Sequence, residues 1–171
     1  INISDIKRKN MTGDKTIYGI AFRDKLAYLS CGFGIVVIDL VKFEIKDTYI
    51  IGPGGTEIKV FDIDFLGSNI FAATADGVFV ADINNANLSN FANWNLSLPD
   101  NGNAGDYNIL EQFSGKLFVN YAKPDASANS LDDVLMYDGS SWGAPSGGVA
   151  QDITKNYAFN RSGDNLLITN G

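Results

Sequence analysis

A pattern repeated at a fixed spacing limits the possible folds of this chain more than any other feature of its sequence. The stretch YLSCGFGIVVIDL, residues 28–40, returns as FAATADGVFVADI 43 residues later. In this alignment Gly34 corresponds to Gly77, and Asp39 corresponds to Asp82. Two landmarks at one spacing indicate a repeated structural unit.

The repeat continues upstream of these two stretches. Phe22 corresponds to Phe65, again at a spacing of 43 residues. In the turn that follows we predict a difference of one residue in length, which aligns Leu26 with Ile70. The repeated unit therefore includes the segments on both sides of the quoted stretch.

Each copy contains about four short segments that are apolar or alternate between apolar and polar residues. A looser third copy begins at Tyr107, and a fourth begins at Val149. Val, Ile, Phe and Tyr dominate the segments, which is typical of β-strands, and no stretch shows the periodicity of a helix. Repeats of about 40 to 50 residues with four strands each are typical of β-propeller blades.

The sequence therefore predicts an all-β fold, a β-propeller with four-stranded antiparallel blades. We expect a partial propeller of about four blades, taken from a larger ring. A compact ring of four blades is the alternative, and its first and last segments would have to combine. We predict blades over residues 17–51, 60–98 and 107–147, a strand of a preceding blade over residues 1–16, and half of a further blade over residues 149–171.

Composition excludes several classes of function. Acidic residues outnumber basic ones by 20 to 13, so binding to a nucleic-acid backbone is not expected. No apolar run is long enough for a membrane span, and residues 1–10 lack the apolar stretch of a signal peptide. The chain contains no histidine and one cysteine, Cys31, which excludes histidine-based triads and Cys/His metal cages within it.

Several conspicuous residues are expected to serve the fold. Cys31 lies among apolar neighbours and is expected to be a buried filler. Asp39 and Asp82 close the third strands, where a carboxylate can accept backbone N–H bonds from the next turn. Trp94 and Trp142 lie on or near outer strands, and we expect them to pack between blades.

Two acidic segments raise the question of catalysis or metal binding. Asp62 and Asp64 lie on one face of a strand, as the paired carboxylates of a glycosidase could. The first repeat has Gly19 and Ala21 at these positions, which favours a structural, hydrogen-bonded pair. The loop of residues 100–106 lacks the alternating acidic ligands of a calcium loop. We therefore predict no catalytic residue, no metal site and no cofactor.

A ligand or partner is expected at one rim of the propeller. The loops between second and third strands share that rim with the loops between blades. The candidate residues are Phe33, Asp76, and Lys123 and Asp125 of an insertion over residues 122–133. An aromatic ring can stack on a sugar, and a long loop is often functional.

The segments GFGIVVIDL, EIKDTYIIGPGGTEIKV and AATADGVFVADINN resemble the N-terminal propeller of PorZ-like proteins of the type IX (Por) secretion system of Bacteroidetes. The resemblance spans roughly residues 26–85. It implies an exported, non-enzymatic scaffold at the cell surface, associated with the outer membrane. It also implies binding to anionic lipopolysaccharide or another surface glycan, and to other secretion-system proteins.

Two further functions remain open at this point. AATADGVFVAD is also similar to the repeats of sensor propellers in hybrid two-component regulators, which recognise oligosaccharides. A glycoside hydrolase or lyase is the third hypothesis. The hydrolase predicts clustered carboxyl groups with strongly shifted pKa values in a central pocket. The sensor predicts a membrane span and a kinase in the full gene, and the scaffold predicts a second propeller and a C-terminal sorting domain.

Overall fold

The fold consists of antiparallel β-sheets. A computed structural model of the chain describes residues 13–123, 131–146 and 155–171. These residues form three four-stranded sheets and one two-stranded sheet, with no α-helix among them. No helix in this described part of the chain could cross a membrane. The prediction of an all-β, partial propeller is confirmed.

Each sheet is built from strands that are consecutive in the chain. The first sheet consists of β1 (Ile17–Arg23), β2 (Leu26–Cys31), β3 (Gly34–Asp39) and β4 (Glu44–Tyr49). The second consists of β5 (Val60–Leu66), β6 (Asn69–Thr74), β7 (Val78–Asp82) and β8 (Asn95–Ser97). Short 3₁₀ turns at Pro53–Gly55 and Phe91–Asn93 interrupt the connections around the second sheet.

The remaining two sheets follow the same order. The third sheet consists of β9 (Asp106–Phe113), β10 (Lys116–Ala122), β11 (Asp133–Tyr137) and β12 (Trp142–Gly143). The fourth, as far as it is described, consists of β13 (Asn156–Ser162) and β14 (Asn165–Asn170). The strands β1, β5, β9 and β13 pack side by side and form the inner wall of the propeller.

The hydrophobic core lies between neighbouring sheets. One cluster joins the first and second sheets through residues such as Tyr28, Val37 and Ile63. Another joins the second and third sheets through Phe71 and Leu117. Because neighbouring sheets cover both faces of the second and third sheets, β6 and β10 are buried along most of their length, and β2 of the first sheet is buried to a similar extent.

The aromatic and thiol groups expected to serve the fold do so. Trp94 is buried, with its ring centroid 6.1 Å from that of Tyr49 in the first sheet. The indole N–H of Trp142, in the third sheet, donates a hydrogen bond of 2.9 Å to Ser97 of the second. Cys31 is fully buried, and this burial raises the pKa of its thiol to about 11. Packing between sheets and a filler role are thus confirmed.

The pairing of strands corrects one part of the repeat alignment. Leu26 pairs with Asp39, and Asn69 pairs with Asp82 at the equivalent position of the second sheet. Leu26 therefore corresponds to Asn69 and not to Ile70, and the spacing of 43 residues continues without a gap. The predicted difference of one residue in the turn was wrong, because it matched two apolar residues and ignored the register of the hairpin.

The same hairpin turn recurs because each copy places a residue in the left-handed region of backbone space. The φ angle is 55° at Asp24, 59° at Gly67 and 57° at Gly163. In the third sheet the turn has two such residues, Ser114 at 50° and Gly115 at 76°. Glycine, aspartate and serine are residues that turns favour, so the four copies share a geometry with little identity of sequence.

The aspartates that close the third strands stabilise the turns after them. Asp39, Asp82 and Asp138 each accept a hydrogen bond from the backbone N–H two residues later, at 2.8 to 3.0 Å. Backbone hydrogen bonds hold the pKa of Asp39 and of Asp138 below the usual value for aspartate, chiefly the bond from the N–H three residues later and then the bond from the N–H two residues later. The structural role predicted for these aspartates is confirmed, and it extends to the third copy.

The landmark glycine Gly34 is the first residue of β3, and Gly77 directly precedes β7. Their φ angles are 145° and 146°, a conformation that side chains rarely adopt. A Cβ atom at Gly34 would lie 2.2 Å from the carbonyl oxygen of Tyr49. At Gly77 the nearest atoms are the side-chain carbons of Leu96 and Leu98, at 2.7 and 2.8 Å.

Replacement of Gly34 by alanine is therefore expected to lower the free energy of unfolding by about 1–3 kcal/mol. Gly77→Ala should cost less, because the leucine side chains can move aside and the nearest backbone oxygen there, that of Ser97, is 3.0 Å away, compared with 2.2 Å at Gly34. Gly143→Ala is the control, since nothing lies within 4 Å of its added Cβ. Urea denaturation of the three variants measures the differences, and equal losses at Gly34 and Gly77 would contradict this explanation.

Candidate binding rim and inner channel

The candidate rim is the end of the sheets at which β1, β5 and β9 begin. The Lys59 ammonium lies there between two aromatic rings, 4.3 Å from the centroid of Tyr18 and 4.3 Å from that of Phe61. The Tyr18 hydroxyl donates a hydrogen bond of 2.6 Å to Asp14, and this bond lowers the pKa of Asp14. Cation–π contact and a hydrogen bond therefore fix the side chains at this part of the rim.

A signal for this arrangement is present in the sequence, although none of the predicted rim residues came from it. Tyr18 and Phe61 are separated by 43 residues, so they occupy the same position in two copies of the repeat. Equivalent positions on neighbouring inner strands lie side by side, and the two ring centroids are 6.0 Å apart. An aromatic residue at one repeat position in successive copies is thus a sign of contact between sheets.

Phe33 does not offer a surface to a ligand, which corrects the prediction that its ring lies exposed on the rim. The residue lies in the expected turn between β2 and β3, but its exposed fraction is 0 %. Its ring packs with Leu29 and Cys31 in a buried cluster. The segment before β1 covers the turn, and the Gly32 N–H donates to the Thr16 carbonyl oxygen. A fully covered ring cannot stack on a sugar.

Asp76 lies exposed in the turn between β6 and β7. Its backbone N–H donates a hydrogen bond of 3.2 Å to the Thr74 hydroxyl. Partial burial and, to a smaller degree, the charge of Asp76 raise the pKa of Asp106, while Lys59 lowers it. Asp76, Asp106 and Lys59 thus share one electrostatic environment on the rim.

Lys123 and Asp125 belong to the insertion after β10. The Lys123 ammonium lies 2.9 Å from a carboxylate oxygen of Asp133, with both side chains partly buried. The ion pair neutralises the charge that would have attracted an anion. Asp125 lies outside the described residues. Phe33, Asp76 and Lys123 belong to the hairpins of three different sheets, and a ligand role for Asp76, Lys123 and Asp125 stays a prediction.

Asp62 and Asp64 line the inner channel and connect two sheets. Asp62 accepts a hydrogen bond of 2.9 Å from the backbone N–H of Leu110 in β9, and Asp64 accepts one from the N–H of Gln112. The other oxygen of each carboxylate accepts a hydrogen bond from the backbone N–H of the residue that follows the aspartate in β5. The pair is thus a bridge between inner strands, the structural role that the repeat comparison favoured.

The environment of Asp62 has one property in common with a catalytic acid. The pKa of Asp62 is raised to about 6, chiefly by burial and to a smaller degree by the charges of Asp64 and Glu111, while the backbone hydrogen bonds oppose the change. Both oxygens of Asp62 nevertheless face backbone donors. Glu111 forms an ion pair with Arg161 of β13, which joins the third and fourth sheets.

These side chains border a groove of about 570 Å³, formed by all four inner strands. Aromatic residues such as Tyr18, Phe22 and Tyr157 line it together with the carboxylates. The groove is the central channel of the propeller. The carboxylates that line it already form hydrogen bonds and an ion pair with neighbouring inner strands, and these bonds hold the sheets together.

Comparisons with known proteins agree on the fold. PorZ of Porphyromonas gingivalis, described as an essential bacterial surface component of the type IX secretion system, is similar in structure, with a TM-score of 0.69 at 20 % identity. The similarity covers 99 % of this chain and 20 % of that chain, so the chain spans one fifth of the length of the solved PorZ. No curated protein matches.

Two other solved structures share the architecture at low identity. The computationally designed protein Ika8 gives a TM-score of 0.56 at 13 % identity, covering 94 % of this chain and 45 % of the designed one. An α-L-arabinofuranosidase from Clostridium thermocellum gives 0.50 at 17 % identity, covering 87 % and 58 %. Likenesses at this level of identity concern the fold alone.

The family comparison is more specific. The model for the PorZ N-terminal β-propeller domain of the type IX secretion system (TSS9) matches residues 1–95. The match includes the whole first sheet and most of the second, with the landmark glycines and the bridging aspartates. Since it covers more than half of the sequence, the chain belongs to the family of PorZ N-terminal β-propeller domains.

Proposed function

We propose that the chain is part of a non-catalytic propeller scaffold of the type IX secretion system. It works at the cell surface, in association with the outer membrane, and binds other proteins of the system or anionic lipopolysaccharide. The match of residues 1–95 to the PorZ propeller family carries this proposal. We also propose that the sheets are blades of a larger ring, with the divisions at residues 17–51, 60–98 and 107–147.

The channel supports a scaffold in preference to an enzyme. A glycosidase needs one carboxyl group that donates a proton and a second that is free to attack or to activate water. Each oxygen of Asp62 and Asp64 accepts a backbone hydrogen bond, and Glu111 is paired with Arg161. The similarity to an arabinofuranosidase concerns the fold alone, and it does not identify a catalytic residue in this chain.

The charges on the rim favour a protein as the partner that binds there. Asp14, Asp76 and Asp106 are exposed, Lys59 is held by two aromatic rings, and Lys123 is neutralised by Asp133. A net charge of −7 adds to the repulsion of an anion. A partner surface with lysine and arginine side chains would complement this rim, whereas the lipopolysaccharide hypothesis rests on the family.

The test is a capture experiment with the full-length protein. Wild type and the double variant Asp76→Asn/Asp106→Asn are immobilised and exposed to secretion-system proteins, to purified anionic lipopolysaccharide and to neutral lipopolysaccharide. We expect capture of partner proteins to fall in the double variant and with added salt. Asp39→Asn is the control, because Asp39 lies at the opposite end of the first sheet.

The other outcomes distinguish the hypotheses. Selective capture of anionic lipopolysaccharide would mean that the partner is a glycolipid and not a protein. If that capture is unchanged in the double variant, the glycolipid binds somewhere other than this rim. Saturable binding of a free oligosaccharide, with no capture of secretion proteins, would favour the sensor propeller. Release of sugar from an oligosaccharide would contradict the non-catalytic role.

A further inference from the structure

A second pocket lies between the first and second sheets, away from the rim and the channel. Its volume is about 350 Å³, within the range of small-molecule sites. One wall is formed by the hairpin after β1 and by β2 and β4, and the other by the segment of residues 83–88 after β7. Both walls belong to four-stranded sheets, so the pocket is complete within the described residues.

Two buried tyrosines supply the most informative polar groups of this pocket. Tyr28 is 3 % exposed and Tyr49 is 6 % exposed, and both line the pocket. Their rings are held by other aromatic groups, since Phe65 lies edge-on to Tyr28 at 5.1 Å and Trp94 lies tilted to Tyr49 at 6.1 Å. The rings therefore belong to the core, and only the hydroxyl ends remain for another role.

Neither hydroxyl has a hydrogen-bond partner among the residues that the structure describes. Neither hydroxyl oxygen is among the buried atoms that lack a partner, so both oxygens are open to solvent in the pocket that the two side chains line. Burial raises the pKa of both tyrosines, and the charged side chains that act on them to a smaller degree, Arg23 and Asp24 at Tyr28 and Asp47 at Tyr49, belong to the lining of the pocket. The two hydroxyls are thus directed toward the pocket.

The charged groups of the lining are balanced. Arg23 and Asp24 lie at the inner end, at the hairpin after β1, and Lys46 and Asp47 lie on the outer strand β4. No ion pair joins any two of these four described side chains. Three strand spacings separate β1 from β4, so the ends of the pocket are about 14 Å apart.

We propose that this pocket binds an uncharged, hydroxyl-rich ligand of the size of one or two sugar rings. A sugar hydroxyl both donates and accepts hydrogen bonds, as does this wall of tyrosine hydroxyls, carboxylates and cationic groups. An anion or a cation would meet one unfavourable charge for each favourable one at both ends of the pocket. The inference does not depend on the secretion role, and it concerns a site different from the acidic rim.

Saturation-transfer NMR with the full-length protein tests the proposal. The probes are glucose, galactose, N-acetylglucosamine and lactose, with glucuronic acid and free lysine as charged counterparts. We expect saturable binding of at least one neutral probe, with weaker binding of the charged ones. Tyr28→Phe and Tyr49→Phe remove one oxygen each and should weaken that binding by roughly three- to tenfold, the loss of one hydrogen bond.

Two controls keep the outcome unambiguous. Tyr137→Phe changes a tyrosine of the third sheet that lies outside this pocket, and its binding should equal that of wild type. Lys46→Gln alters an exposed side chain of the lining and serves if a buried tyrosine variant does not fold. No binding of any neutral probe, equal binding in the pocket variants, or preference for lysine or glucuronic acid would each overturn the proposal.

Discussion

The wild-type protein is expected to lose about 3 kcal/mol of stability relative to an Asp62→Asn variant as the pH rises from about 4 to about 7. The pKa of Asp62 is raised from 3.8 to about 6 in the folded protein, chiefly by burial. Between these two pKa values the folded state binds more protons than the unfolded state. The contribution of Asp62 to stability is therefore fully present below pH 4 and is lost as the pH passes 6.

The measurement is the free energy of unfolding of both proteins at intervals across this range. Asparagine keeps one acceptor oxygen but directs an amide toward a backbone N–H, so the variant carries a constant penalty, and only the change with pH is diagnostic. Asp39→Asn is the control, because backbone hydrogen bonds lower the pKa of Asp39 below 3.8, so its difference from wild type should stay nearly constant between pH 4 and pH 7. A difference between wild type and Asp62→Asn that stays flat or grows with pH would contradict the assignment.

The largest expected effect of a single substitution is at Phe71. The side chain is 1 % exposed and lies in the cluster between the second and third sheets, with the Tyr137 ring at 5.7 Å. Truncation to alanine removes most of this contact and leaves a cavity between two sheets that cannot approach freely. We expect Phe71→Ala to lower the free energy of unfolding by about 3–5 kcal/mol.

Thermal and urea denaturation of Phe71→Ala check this expectation. A protein of this size should lose roughly 10 °C of Tm or more. Phe43→Ala is a matched control, because Phe43 is 64 % exposed and its truncation should change stability by less than about 0.5 kcal/mol. A loss below about 1 kcal/mol at Phe71 would mean that the two sheets contribute little to the stability of one another.

The repeat made much of this fold predictable from sequence. Gly34 and Gly77 mark places where the backbone has a conformation that other residues rarely adopt, and Asp39 and Asp82 mark turns that need an acceptor. Such requirements are local, so they remain visible when most other residues of the repeat have changed. The error at Leu26 arose where no local requirement was used and only hydrophobicity guided the alignment.

The candidate site was harder to predict because its properties depend on distant parts of the chain. Phe33 looks like an exposed loop residue until the segment before β1 is placed over its turn. Lys123 looks like a free cation until Asp133 is placed beside it. The pocket of Tyr28 and Tyr49 left no mark in the sequence, since both tyrosines have the pattern of ordinary core residues.

The consecutive order of strands within each sheet bears on how the chain acquires its structure. The first sheet is complete at Tyr49, before the second begins at Val60. Every hydrogen-bonded strand pair among the described residues is therefore local in sequence, which lowers contact order and favours rapid formation of each sheet. A chain that emerges from its N-terminus can fold one sheet at a time, and each finished sheet offers a surface on which the next can condense.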